Sequence, residues 1–206
     1  MSTLGLDGRP QREDNIFQRI FWPGNHAGEA DALGQQGFWV CLAVGLLSAI
    51  VTVWTGHPLV ALLVFAFYWL GGMGVREHSV TAAIIVALGC IASLAVGILT
   101  RHFPGFLDIA ITCILLGNIR GTYIASSWQA KGDLEVFPSR MNTTFFDWLV
   151  DQLPSKLWPR GRYVFFVVSA VYGVLLTLGT IALMHRLASQ PPPQADLQLQ
   201  LPASNQ

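Results

Sequence analysis

Charge is scarce in this chain, and over long stretches it is absent. No Asp, Glu, Lys or Arg occurs in residues 33–75, 79–100 or 163–184. Soluble domains rarely go so far without a charged side chain, whereas a helix of about 20 apolar residues covers the hydrocarbon core of a bilayer. Only 12% of the 206 residues are charged and 52% are hydrophobic, with a mean hydropathy of +0.49. The expected fold class is therefore an all-α integral membrane protein.

Other absences narrow the function. Lys plus Arg equals Asp plus Glu, 12 of each, and no basic block is interleaved with stacking aromatics, so nucleic acid is not an expected partner. The three cysteines, Cys41, Cys90 and Cys113, stand singly in apolar runs without CxxC spacing. They read as small packing residues, not as a disulfide framework or a zinc site. The N-terminal "RPQREDN" is not followed by a short apolar core with a small-residue cleavage site, so the first membrane helix is expected to remain as an anchor. GxSxG, HExxH, SxxK and the phosphate-binding GxxxxGK[ST] are all missing, and Ser126-Ser127 have no evident base. Catalysis and a bound cofactor are therefore not expected.

Hydrophobic runs and their breaks predict five membrane helices, at about 37–56, 58–75, 79–100, 104–129 and 162–187. They form a transmembrane domain over 37–187, preceded by an N-terminal segment, 1–36, in which "DNIFQRIFWPG" suits a short amphipathic helix. Residues 188–206, the tail that contains "SQPPPQADLQLQLPASNQ", have too little apolar surface to offset the entropy of ordering. With five crossings, one side collects Arg9, Arg12, Arg19, Arg76, Lys131, Arg140, Lys156, Arg160 and Arg162, against Arg101 and Arg186 on the other. The excess of basic residues predicts a bacterial-type inner membrane with the N-terminus in the cytoplasm and the C-terminus outside. The longest connection, 131–161, is then cytoplasmic. Phe145, Trp148, Leu149 and Leu153 fall within it at helical spacing, which suits a helix lying in the headgroup plane or docked on the bundle.

Small residues mark faces for close packing. Gly89, Ser93 and Gly97 recur at steps of four on the third helix, and Gly117 and Gly121 repeat the spacing on the fourth. Gly71, Gly72 and Gly74 cluster near the end of the second. His57, His102 and His185 share one predicted side with Asp108, which raises a metal site. Each of these histidines, however, ends a helix, where a donor complements free carbonyls and the negative end of the dipole, and that reading is preferred. None stands at a midmembrane position, so haem is not expected.

Asn118 and Arg120 break the fourth apolar run. With Asp108 they are the candidate functional polar residues, Arg120 being placed near the inner edge of the bilayer, where it can snorkel. Together these features predict a small polytopic protein without catalysis of its own, an accessory or packing subunit whose partners are the bilayer and another membrane protein or a second copy. The alternative is a small-solute or ion transporter or channel formed by a homo-oligomer; a membrane enzyme is the third reading.

Overall fold

The computed structural model describes residues 27–99, 105–131 and 145–189. Every regular element among them is helical: α1 (Ala27–Trp54), α2 (Pro58–Arg76), α3 (Val80–Leu99), α4 (Phe106–Lys131), α5 (Phe145–Asp147), a π-helical turn (Trp148–Gln152) and α6 (Leu153–Ser189). Five of them, α1 to α4 and α6, are long and apolar enough to cross a membrane. The N-terminal amphipathic segment, His102, the residues between α4 and α5, and the C-terminal tail lie outside the described residues.

α1 starts ten residues before the expected position, and its buried stripe begins at Leu33, ahead of the expected start. Leu33, Gly37, Cys41 and Gly45 recur every fourth residue on the buried side, while Gln35 is exposed and Gln36 half-buried. Its other end closes with a Schellman pattern, in which the Gly56 N–H donates to the Val53 carbonyl and the His57 N–H to that of Thr52. Gly56 takes φ +86°, and Pro58 begins α2 directly after His57. The end of α2 repeats the pattern: His78 donates to Val75 and Ser79 to Gly74. Here the left-handed position is held by a non-glycine, His78, at φ 57°.

α1 to α4 close into a ring, with α1 packed on α2 and α4, and α3 packed on the same two neighbours. α6 lies outside the ring, mainly against α2. The glycines of α2 make this possible by facing three different partners. A Cβ on Gly72 would stand 2.9 Å from that of Cys41 on α1, one on Gly71 would strike Val86 of α3, and one on Gly74 would strike Trp158 of α6 and Ala82 of α3. The core divides into one cluster around Phe67, Tyr68, Val86 and Phe165, and another that joins Phe38, Met73 and Val150.

α6 begins at Leu153, nine residues before the expected 162, and its 37 residues span about 56 Å at 1.5 Å per residue. Pro154 sits in the first turn, where its missing N–H costs little, and Pro159 lies inside the helix. Trp158 and Phe165 hold this part of α6 against the core. The stretch before it is only a three-residue helix and a π turn, shorter than the amphipathic helix that spacing suggested. It is docked on the bundle through Val150 while Phe145 and Phe146 remain exposed.

Candidate functional site

Two polar centres occupy opposite ends of the ring. At the first, Arg76 ends α2 and is only 2% exposed. Its guanidinium lies between two carboxylates drawn from distant parts of the chain. Nη1 donates to Asp31 Oδ1 at 2.5 Å and to the Asp31 carbonyl at 3.3 Å, while Nε and Nη2 donate to Asp151 Oδ1 at 3.1 and 2.5 Å. Arginine suits this position because its planar fork can serve two acceptors at once. The extra turn of α1 delivers Asp31, and the π turn delivers Asp151; a π segment inside helical structure is a common way to re-aim a side chain. The buried cation thus ties α1, α2 and the approach to α6 together.

Asn118 lies near this end. It is 1% exposed, and neither its amide nitrogen nor its oxygen has a hydrogen-bond partner among the described residues. A Cβ on Gly37 would stand 2.8 Å from Asn118 Nδ2 and 2.7 Å from Val75 Cγ1, so Gly37 leaves the room in which the amide sits. Thr122, one turn further along the same face, is also buried with its hydroxyl unpartnered among the described residues. Arg120 is half-buried on a different side of α4.

The second centre is an open cleft of about 360 Å³ at the other end of the bundle, with Ser93 and Asp108 exposed at its surface; its volume is within the range of small-molecule sites. All five long helices line it. Ser48 and Thr52 come from α1, Tyr68 from α2, Cys90, Ser93 and Gly97 from α3, Asp108 and Thr112 from α4, and Tyr172 from α6. Three hydroxyl protons point back along their own helices: Thr52 Oγ1 donates to the Ser48 carbonyl, Ser93 Oγ to that of Gly89, and Thr112 Oγ1 to that of Asp108. Since Ser93 has already donated, the 3.1 Å contact with Tyr172 is a donation by the tyrosine. By the same reasoning Cys90 S–H donates to Thr112 Oγ1 at 3.5 Å. Asp108 Oδ2 accepts the Gly105 N–H at 3.0 Å, closing the first turn of α4.

The residues singled out from sequence are thus distributed over both centres. Asp108 joins the cavity, whereas Asn118 lies ten residues along α4, about 15 Å away. Gly89 of the small-residue stripe is covered by Phe67 and lies near Tyr172, and Gly121 by Leu33. Gly97 has nothing within 4 Å of an added Cβ, and Gly117 is half-buried. His57 precedes α2 and His185 is exposed near the far end of α6. Among the described residues no three His, Cys, Asp or Glu side chains are grouped so as to hold a metal ion. In the sequence Arg76 counts only among the basic residues of one side, with no link to Asp31 or Asp151. The available signal was a pair of acids flanking the apolar segments that meet at the same end as Arg76.

Over the described residues this architecture is that of an all-helical protein with five helices of membrane-spanning length and composition. Comparison of the chain with known families, curated proteins and solved structures gives no significant match.

Proposed function

We propose that this is an inner-membrane protein without catalysis of its own that packs as an accessory subunit beside another membrane helix. The supporting observation is the sparse burial of its last span. In the most apolar window of that span 6% of residues are buried, against 22–50% in the other four. Val167, Val171, Val174 and Leu178 are exposed along it, and added Cβ atoms on Gly173 and Gly179 would meet open space. Such a helix gains little from its own bundle, and small residues on its surface permit another helix to approach closely. The partner is a second copy or a different membrane chain. The excess of basic residues on one side supports an orientation with the Arg76 end and the N-terminus in the cytoplasm and the C-terminus outside.

The test is photocrosslinking in intact cells from positions 174 and 178, with exposed position 116 on α4 as the lipid-facing control. Protein adducts from α6 and not from 116 support the reading. Lipid adducts alone from all three positions overturn it.

A second reading, a small-solute site of transporter or channel type, is favoured by the cavity. Polar side chains from five helices of membrane-spanning length converge on one space, and such groups within a membrane bundle are costly unless they serve a pathway or pair with one another. It predicts that water-soluble thiol reagents reach Cys90.

A further inference from the structure

The ligand class of the cavity follows from its hydrogen-bond inventory, an inference that rests on the solute-site reading. Thr52, Ser93 and Thr112 have each donated their proton to a carbonyl of their own helix, so they face outward with lone pairs. The two donors nearest them, Tyr172 O–H and Cys90 S–H, are directed at Ser93 and Thr112. Ser48 and Tyr68 carry rotatable hydroxyls, which accept as readily as they donate. The wall therefore has a surplus of acceptors.

Its charge has the same sense. Among the described residues Asp108 is the one carboxylate on the wall, and no described Lys, Arg or His lines the space. One Asp108 oxygen accepts the Gly105 N–H, which leaves the second oxygen for a ligand. Two tyrosine rings, of Tyr68 and Tyr172, complete the lining; aromatic faces attract cations through the ring quadrupole. From the described residues an anion would meet a carboxylate and lone pairs and no cation.

We propose that the cavity binds a small protonated amine, the ammonium group held by Asp108 and by the outward lone pairs of Thr52, Ser93 and Thr112. The ammonium group is carried either by a free amine or by the headgroup of an aminophospholipid entering from the bilayer. Three strong donors on a compact cation match an acceptor-rich wall, and an ammonium beside a carboxylate forms charge-assisted bonds about twice as strong as neutral ones.

Cys90 reports on occupancy because it lines the cavity, whereas Cys113 is exposed elsewhere on α4. The full chain is reconstituted in phosphatidylglycerol nanodiscs, and alkylation of each cysteine by N-ethylmaleimide is followed by peptide mass spectrometry. Propylammonium is expected to slow the reaction at Cys90 at least fivefold and to leave Cys113 unchanged, while propionate and propanol have no effect. In phosphatidylethanolamine nanodiscs, slow alkylation of Cys90 without added amine assigns the ammonium group to the lipid. Asp108→Asn keeps an oxygen for the Gly105 N–H and is expected to abolish protection by either source. Gly97→Leu, which enters open space, is expected to slow Cys90 alkylation in the absence of any amine.

Equal protection by propionate or propanol, protection that survives Asp108→Asn, or no protection by either amine source overturns the assignment. If N-ethylmaleimide never reaches Cys90 while Cys113 reacts, the solute-site reading itself fails.

Discussion

Arg76 and Asp151 are 75 positions apart in the chain and meet at 2.5 Å, with the arginine 2% exposed and the aspartate side chain 15% exposed. Together with Asp31 on the opposite side of the guanidinium, this contact fastens the first and last long helices to the end of the second. Removing the arginine leaves two carboxylates facing one another in a confined space. Arg76→Met is therefore expected to cost about 3–5 kcal/mol, the usual penalty for breaking a buried ion pair from one side. Arg76→Lys, which keeps the charge but loses the fork, falls between that variant and the parent. Chemical unfolding of the detergent-solubilised protein measures both. Equal stability of all three would show the cluster to be solvated and of little consequence.

The two carboxylates share one cation, so their contributions cannot be independent. Asp31→Asn and Asp151→Asn each leave Arg76 one ionised partner, while the double variant leaves a buried cation with none. The double variant is expected to lose more than the sum of the single losses, by about 0.5–3 kcal/mol, the range found for residues in one network. The same unfolding measurement on the four chains gives the coupling directly, and strict additivity would separate Asp31 from Asp151.

Glycine positions divide by what surrounds them. Gly72→Ala would bring a methyl group to 2.9 Å from Cys41 Cβ, and overpacking of this kind costs about 1–3 kcal/mol. Gly173→Ala and Gly179→Ala enter open space, and each is expected to stabilise the helix by up to about 1 kcal/mol. Gly56→Ala also enters open space, but its φ of +86° is strained for any L side chain, so it is expected to destabilise by about 1 kcal/mol. Melting curves of the four variants check the order. A stable Gly72→Ala would mean that α1 and α2 can separate without loss.

The long helices were legible because absence of charge over about 20 residues has a single dominant physical meaning in a chain of this composition. The ends were less so. α1 and α6 both begin before their uncharged runs: α1 brings Asp31 to Arg76 from just ahead of the first run, and Trp158 packs on the core ahead of the last. Asp108, Asn118 and Arg120 stood out as polar residues in an apolar run. Their division between two centres depends on which face of α4 each occupies and on its depth, which spacing within one helix does not convey. The Arg76 cluster was the least legible: its three members are separated by 45 and 75 positions, and no local pattern links residues so far apart. The cavity was equally hidden, because it is made from one or two small polar residues on each of five helices.

Asn118 offers the sharpest test of whether a polar residue in this bundle is kept for stability. Both atoms of its amide are buried without partners among the described residues, a condition that costs about 1–3 kcal/mol relative to an apolar replacement of similar shape. Asn118→Leu is thus expected to unfold at the same denaturant concentration as the parent or at a higher one, by up to that amount, with Gly37 kept to leave room for the side chain. Asn118→Ala, which leaves a void, is expected to be less stable than Asn118→Leu. If Leu stabilises the fold while protein crosslinking from α6 or protection of Cys90 is lost, the amide is retained for function and not for packing. If Leu instead destabilises by more than about 1 kcal/mol, the amide contributes a hydrogen bond to the fold, and Asn118 belongs with Arg76 among the residues that hold this end of the bundle closed.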